Sequence, residues 1–379
     1  MEENKHLFVT CLDGLESLLS QELQEMGFSR VKEGFRGVYV EESSLRAVYL
    51  INYTSRLASR VLLPILRFRC YDRDSLYRAV EEIDWTRYIP RGKTFAIDAN
   101  VTHPNLNNSL FTALVAKDAV CDRYRKETGS RPNVCVSEPD IQLNLYIQQT
   151  HAVLSVDTSG VPLHKRGYRQ GTSEAPINET LAAALLKIAK LDEEDVLYDP
   201  CCGSATFLIE AALSASRIPP GFLRKHWGFM YLPQFSLEEW LQVKRQADEL
   251  RKPFQKGKWF GSEVNRSTVT SALTNLRAAG LNGFVQISHA DFREYVSPKP
   301  PTLLISNPPH GRRMENVEGL RPLYRSLGNW MKQQLSPSAR GFIFTGSSEL
   351  AKEIGLAPTR RHVVVNSGVD SRFLEYAIY

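Results

Sequence analysis

Val196-Leu197-Tyr198-Asp199-Pro200-Cys201-Cys202-Gly203-Ser204-Ala205-Thr206 is the stretch whose reading decides the fold of this chain. An apolar run ends in an aspartate, a turn of small residues follows, and Phe207–Ala215 then has the pattern of a helix. A strand that passes into a helix through small residues opens a βαβ unit, and such a turn lets backbone approach a ligand at the carboxyl edge of a parallel sheet. No Gly-Lys-Ser/Thr follows, so the turn is not a phosphate-binding P-loop. Taken alone, such a turn is weak evidence, and a purely structural turn is the lesser alternative.

Beyond the turn, strands are expected at 195–199, 258–263, 284–288, 302–306, 341–345 and 361–366, with Phe373–Tyr379 supplying one more. They alternate with helices, which implies an α/β fold with a mainly parallel sheet. A long insertion, Arg217–Lys258, separates the first two strands and carries Pro219-Pro220-Gly221, Trp227 and Trp240.

Three strand ends in this region carry chemistry. Phe260-Gly261-Ser262-Glu263 puts a carboxylate at the end of the second strand, where such folds hold ribose hydroxyls. Glu263 follows Asp199 by 64 positions, against the usual spacing of roughly 20, and the insertion accounts for the excess. Asp291, in His289-Ala290-Asp291-Phe292, closes the next strand and could accept from an adenine amino group. The fourth strand runs Leu303-Leu304-Ile305-Ser306 into Asn307-Pro308-Pro309-His310-Gly311. Proline at 308 holds Asn307 extended, and two prolines leave carbonyls with no competing N–H donors. The Asn307 amide oxygen and the Pro308 carbonyl can together accept both hydrogens of an exocyclic amine, so positioning can supply much of the catalysis. A plain turn is the alternative.

Toward the N-terminus the pattern changes to small α+β units. Leu7-Phe8-Val9 reads as a strand, Asp13 as the cap of a helix carrying Leu15, Leu18, Leu19 and Leu23, Gly37–Glu41 as a strand and Leu45–Ile51 as a helix. A second unit follows: a helix at Leu76–Ile83, a strand at Thr94–Ala99 and a helix at Asn108–Glu127. The alternating runs Ile141–Ile147 and Ala152–Val156 predict a half-buried hairpin turning near Gln149-Thr150-His151. Residues 159–171, with Gly160, Pro162, His164, Lys165, Arg166, Gly167, Arg169 and Gly171, read as a basic linker that could also touch RNA backbone.

Composition bounds the function. The 379 residues allow two or three domains, and 42% apolar with 23% charged residues is an ordinary globular balance. No apolar run reaches the length of a membrane-spanning helix. The start, Met1-Glu2-Glu3-Asn4-Lys5-His6, is too charged to open a secretory signal, so a cytoplasmic protein is expected. None of the six cysteines forms a C-x-x-C pair, and the adjacent Cys201 and Cys202 cannot easily share one tetrahedral zinc. Neither a metal site nor a disulfide framework is expected. Residues 1–157 hold 19 Lys/Arg against 21 Asp/Glu, a net of −2, and residues 158–379 hold 28 against 21, a net of +7. Within the first half, residues 46–93 carry Arg56, Arg60, Arg67, Arg69, Arg73, Arg78, Arg87 and Arg91 among Tyr53, Phe68, Tyr71, Tyr77 and Tyr88. Charge alone allows a solvated face; the interleaved aromatics favour a surface that grips phosphate and stacks on bases.

The combination Asp199-Pro200-Cys201-Cys202-Gly203-Ser204-Ala205-Thr206, Gly261-Ser262-Glu263 and Asn307-Pro308-Pro309 resembles the class I S-adenosylmethionine-dependent methyltransferases that modify exocyclic amines. Five further stretches narrow the resemblance: Arg56–Arg60, Arg131–Val134, Leu163–Arg169, Ala175–Ala182 and Trp227–Phe229. Together they look like the THUMP-domain guanine-N2 methyltransferases of large-subunit ribosomal RNA, and specifically like the N-terminal half of the fused bacterial enzyme. The resemblance covers essentially the whole chain.

It implies a ferredoxin-like domain at 1–65, a THUMP RNA-binding domain at 66–157, a linker at 158–171 and a Rossmann-like methyltransferase domain at 172–379 that ends in an antiparallel strand. It implies S-adenosyl-L-methionine as cofactor, flanked by Glu179 and Thr180. Asp199, Pro200, Cys201, Gly203, Ser204 and Thr206 would contact its methionine portion, Glu263 its ribose and Asp291 its adenine, with Asn307 adjoining. Asn307, Pro308, Pro309 and His310 would hold the target base. The implied partner is 23S rRNA, as an assembly intermediate or in deproteinised form, with no membrane and no protein partner deducible. The family usually has Gly where this chain has Ala205, and Tyr where it has His310. Transfer to N2 of a guanine in tRNA, and an RNA-binding assembly factor with little turnover, are the competing functions. A DNA adenine methyltransferase shares the Asn-Pro-Pro loop, but the first 157 residues argue against it.

Overall fold

The apolar run Leu7-Phe8-Val9 extends by one residue to form β1 (Leu7–Thr10) in the computed structural model of the protein, which describes residues 6–171, 176–310, 317–366 and 369–378. The expected starts of the 172–379 domain and of the Ala175–Ala182 stretch, and Tyr379, lie outside those residues. The chain divides into two units built from interleaved pieces: Met1–Cys11, Leu19–Leu163 and Arg224–Gln246 in one, and Leu12–Leu18, His164–Leu223 and Ala247–Tyr379 in the other.

Helix α1 (Glu16–Glu25) starts later than a cap at Asp13 would place it, because Gly14, with φ +80°, first turns the chain. The first unit is built on one eight-stranded sheet. Its strands are β1, β2 (Val31–Gly34), β3 (Gly37–Val40), β4 (Arg60–Arg69), β5 (Thr94–Thr102), β6 (Asn133–Val134), β7 (Ile141–Gln148) and β8 (His151–Asp157), in the order β2-β3-β1-β4-β8-β7-β5-β6. Its helices are α2 (Leu45–Thr54), α3 (Arg73–Glu81) and α4 (Ser109–Thr128). The predicted hairpin is β7–β8: Gln148 pairs with His151 across Gln149 and Thr150, and alternate residues of β7 are buried.

Strand β4 was not apparent from the sequence, where its residues read as part of a basic surface. It lies between β1 and β8, and its pairing with β8 slips between Pro64 and Leu66. Proline lacks the N–H that a ladder needs, so an irregularity at that point is how an interior strand tolerates one. The arginine-aromatic region is accordingly divided. Tyr53 is fully buried and the Arg60 guanidinium pairs with the buried Asp157, whereas Arg67, Arg73, Arg78, Arg87, Arg91 and Tyr71 are exposed.

The insertion Arg217–Lys258 also divides. Its middle, Arg224–Gln246, belongs to the first unit and holds most of α7 (Leu237–Asp248). There Trp227, Phe229 and Trp240 pack with Tyr49 and Tyr53 of α2, at ring-centroid distances of 4.8 Å for Tyr49–Phe229 and 5.4 Å for Tyr53–Trp240. A Cβ on Gly228 would come within 2.4 Å of the Asp157 carbonyl, so only glycine admits this close approach.

The second unit is a doubly wound sheet with order β11-β10-β9-β12-β13-β15-β14. Its strands are β9 (Leu197–Asp199), β10 (Trp259–Glu263), β11 (Val285–His289), β12 (Leu303–Ser306), β13 (Arg340–Thr345), β14 (Arg360–Asn366) and β15 (Val369–Ala377). The pairings are parallel except those of β15, which runs antiparallel to both β13 and β14. Adjacent residues of β12 go to opposite faces, as the period of two requires. Leu303 and Ile305 join a core with Leu181, Leu208 and Phe342, while Leu304 joins one with Tyr198, Tyr324 and Trp330. The strand order reverses between β9 and β12, so their carboxyl ends flank the switch point where such sheets bind ligands.

The segment expected as a linker, 158–171, is packed and split between the two units. Thr158 and Ser159 are buried in the first, bonded to the Val61 carbonyl and to Asn52 Oδ1. Tyr168 is fully buried in the second, where its hydroxyl donates to Glu210 at 2.8 Å. A flanking residue with such an anchor is part of the fold. Among the described residues no helix is long and apolar enough to cross a membrane.

Candidate cofactor and substrate site

Asp199 ends β9 inside the protein, 1% exposed. Its Oδ1 accepts from the Ser306 hydroxyl at 2.8 Å and from the Cys201 N–H at 3.2 Å. Burial outweighs these two donors and pushes its carboxyl up to about 7, with Glu263 adding to the rise. The partner Ser306 is the last residue of β12, directly before Asn307. One hydrogen bond therefore fastens the start of the small-residue turn to the start of the Asn-Pro-Pro loop.

The turn itself is shaped by backbone. Gly203 and Ala205 both take positive φ, 52° and 66°. Such a double reversal delivers the chain to α6 (Thr206–Ala215). Glu263, the last residue of β10, grips this turn: its Oε2 accepts from the Gly203 N–H at 3.1 Å and its Oε1 from the Asn265 N–H at 2.9 Å. Ser262 donates to the Pro200 carbonyl at 3.1 Å and shares a 2.7 Å hydrogen bond with the Tyr198 hydroxyl. A Cβ on Gly261 would lie 2.9 Å from Cys202 Cβ, which explains glycine there. Desolvation raises the thiols of Cys201 and Cys202, which disfavours their thiolate forms.

Glu179 opens α5 (Glu179–Ile188), buried, and accepts from Arg169 Nε at 2.8 Å. The same guanidinium reaches Ser204 Oγ and Thr206 Oγ1, each at 3.1 Å. Glu179, Ser204 and Thr206 are thus brought together, and Arg169 is what joins them. Thr180 is buried beside them, but its hydroxyl is turned to Asn178, the cap of α5. Asp291 lies after β11 with both carboxylate oxygens on the Arg293 guanidinium, which holds it below the usual carboxylate range.

At the end of β12, Asn307 Oδ1 is buried and accepts no hydrogen bond among the described residues. A buried amide oxygen without a donor costs about 1–3 kcal/mol, so such an atom needs a reason. Pro308 is buried and Pro309 exposed. His310 Nδ1 lies 3.1 Å from the Pro308 carbonyl, a contact that uses one of that oxygen's two lone pairs and leaves the other.

Sequence reasoning found the strand ends and missed Arg169, Ser262, Ser306 and Asn275. Arg169 and Ser306 had each been quoted within a motif, but nothing in the spacing announced their partners. Asn275, on α8 (Arg266–Ala278), is 1% exposed and donates to the Ser204 carbonyl at 3.2 Å.

A doubly wound sheet with an antiparallel β15, an acidic strand end before a small-residue turn, and Asn-Pro-Pro at the switch point define a Rossmann-like methyltransferase. The sequence matches the RMKL-like methyltransferase domain over residues 166–373, the THUMP domain over 70–157 and the RlmL ferredoxin-like domain over 6–62. The chain belongs to the RMKL-like methyltransferase family. It is 36% identical over 373 residues to "Putative RNA methyltransferase slr0064" of Synechocystis sp., covering 98% of this chain and 96% of that protein. It is 37% identical over 381 residues to "Ribosomal RNA large subunit methyltransferase K/L" of Syntrophotalea carbinolica, covering 98% of this chain and 53% of that protein. The chain thus spans about half the length of that K/L relative. A solved structure of a "putative methyltransferase complexed with SAH" shares the fold with a TM-score of 0.87 at 24% identity, over 100% of this chain and 99% of that one.

Proposed function

We propose that the protein transfers a methyl group from S-adenosyl-L-methionine to the exocyclic N2 of a guanine in 23S rRNA. The observation that carries the reading is the Asn307 amide oxygen, buried and without a donor among the described residues at the switch point. An exocyclic amine supplies the missing hydrogens. With one hydrogen on Asn307 Oδ1 and the other on the open lone pair of the Pro308 carbonyl, the nitrogen lone pair is held in a single direction.

The residues present suit the cofactor. Asp199, with its turn through Pro200, Cys201, Gly203, Ser204 and Thr206, would hold the methionine portion, Glu263 the ribose and Asp291 the adenine. When bound, the cofactor supplies an electrophilic methyl on a sulfonium, so the protein need provide neither metal nor strong base. Asn307 and Pro308 orient the amine, and their bonds to it strengthen as the nitrogen takes on positive charge, which it sheds as a proton to solvent once the methyl is in place. The flat face of His310 stacks on the unstacked base, a contact typically worth about 1–3 kcal/mol. Flipping the guanine out costs a few kcal/mol, roughly what stacking and the amine hydrogen bonds return.

The choice of ribosomal RNA and of guanine N2 is supported by the motifs that resemble the guanine-N2 half of the fused enzyme and by relatives named for large-subunit ribosomal RNA. The exposed arginines of β4, α3 and the following loop suit an RNA backbone, presented by an assembly intermediate or by deproteinised RNA. The test is nucleoside mass spectrometry of fractionated 23S rRNA and tRNA, with and without the gene. Loss of N2-methylguanosine from 23S rRNA alone is expected. Loss from tRNA alone would transfer the activity to tRNA, and no loss in either would leave an RNA-binding factor.

A further inference from the structure

We propose that Arg169 is a positioning residue that sets the cofactor turn, an inference that rests on the reading of that turn given above. Arg169 sits in the stretch that resembles a linker in sequence, outside the small-residue turn and outside every strand. Its guanidinium donates to Glu179 Oε1 at 2.8 Å, Ser204 Oγ at 3.1 Å, the Ile177 carbonyl at 3.0 Å and Thr206 Oγ1 at 3.1 Å. These acceptors come from two places: the entry to α5 and the entry to α6.

The turn needs this support. Ala205 occupies the cap position of α6 in the left-handed region and has no side chain to cap with. The first N–H groups of α6 are therefore left to other partners. Arg169 does not replace the missing cap, because a guanidinium only donates; it orders the side chains beside those N–H groups. By donating to the hydroxyl oxygens of Ser204 and Thr206, it leaves their hydrogens to point elsewhere. Ser204 Oγ and Thr206 Oγ1 lie 3.4 Å apart and share one of those hydrogens, so the pair keeps one ordered hydrogen to donate beside the free end of α6, which is where an anionic group of a ligand is favoured. Glu179 compensates the guanidinium charge, so the arrangement positions without adding net charge.

A second anchor holds the same stretch. Asn275 Oδ1 accepts the N–H groups of Gln170 and Gly171, both at 2.8 Å, while its Nδ2 donates to the Ser204 carbonyl. A Cβ on Gly171 would lie 2.7 Å from Ser271 Cα, so the backbone is pressed against α8. Residues 169–171 thus form a strap fastened at one end to α8 and at the other to both helix entries. Lysine cannot replace the arginine, because an ammonium is a point charge without the planar fork that reaches four acceptors.

The test uses the full-length chain, S-adenosylmethionine and calorimetry, with thermal melting and steady-state methylation alongside. Loss of one ordered hydroxyl donor to a charged ligand group predicts that Arg169→Ala binds the cofactor about tenfold or more weakly. KM for the cofactor should rise while kcat at saturation stays close to wild type, and added guanidinium ion should restore part of the affinity. Arg169→Lys should melt near wild type yet recover little affinity. Wild-type affinity in Arg169→Ala would overturn the proposal; so would wild-type affinity in Arg169→Lys if the alanine variant fails to fold. A wild-type protein that binds no S-adenosylmethionine would instead overturn the reading of the turn, and this inference with it.

Discussion

Asp199 is a carboxyl whose ionisation burial opposes, and its sign of response to pH follows. Its folded value is pushed up to about 7, above its value in the unfolded chain. Between those two values the folded protein holds a proton that the unfolded chain has lost, so this group's contribution to stability falls as pH rises through that window and is flat above it. A cofactor carrying positive sulfonium and ammonium groups favours the ionised form. Affinity for S-adenosylmethionine should therefore climb from about pH 6 to about pH 8, and S-adenosylhomocysteine, which lacks the sulfonium charge, should climb less. Calorimetry across that range checks it, with Asp199→Asn expected to flatten the curve; an unchanged profile in that variant would remove Asp199 from the site. Asn307 behaves differently, because its bond to the amine tightens only as the methyl arrives. Losing a group that acts on developing charge typically costs about a hundredfold in turnover or more. Asn307→Ala should show that loss in kcat with KM values for cofactor and RNA little changed. A parallel loss of RNA affinity would mean that Asn307 anchors the loop. Both residues were legible in the sequence, because an apolar run that stops at a polar side chain marks a strand's carboxyl end. Arg169 was not, since its side-chain partners lie 10, 35 and 37 positions away and only folding brings them together.

At the scale of elements, two departures from simple pattern need weighing. Ala205 replaces the usual glycine at the entry to α6 and takes φ 66°. Glycine there would relieve about 1–2 kcal/mol of left-handed strain. It would also lose about 0.8 kcal/mol for a buried methyl group and about 0.5–1 kcal/mol through the looser unfolded chain. These nearly cancel. Ala205→Gly should thus shift stability by less than about 1 kcal/mol in thermal melts and leave cofactor affinity unchanged; a large gain in affinity would mark Ala205 as a defect. Strand β4 was hidden because Arg60, Pro64, Arg67 and Arg69 interrupt its apolar face. The strand is held partly by Arg60 against Asp157, whose carboxyl burial raises. Arg60→Ala leaves that buried carboxylate without a counter-charge, held among the described residues only by the Ser159 and Gly160 N–H groups, at a cost of about 3–5 kcal/mol. The loss should shrink as pH falls and Asp157 takes up a proton, and urea titrations at two pH values would show it. Equal destabilisation at both would assign the cost to lost packing. The parallel strands of the second unit were legible throughout, since each is a short apolar run bounded by turn residues, while the two-residue β6 of the first unit has too little pattern to announce itself.

On the scale of the whole molecule, neither unit is a contiguous stretch of chain, although the sequence reads as three domains in a row. Trp227, Phe229 and Trp240 were visible as an insertion, but sequence order assigned them to the methyltransferase domain. Their burial with Tyr49 and Tyr53 depends on packing that no local pattern encodes. A fragment of residues 1–163 would lack Arg224–Gln246 and leave those tyrosines uncovered. It should bind a hydrophobic dye and melt without a cooperative transition, and supplying 224–246 in the same polypeptide through a linker should restore cooperativity. A cooperative fold in 1–163 alone would make the segment dispensable. The interleaving also acts in time. A ribosome that has just finished Leu163 must add 83 more residues before Gln246 exists, a wait of about 4–17 s at ordinary elongation rates. Until then the N-terminal sheet is a nascent intermediate with an open aromatic face, so translation speed across the first methyltransferase strand and helix governs how long that face is a target for chaperones.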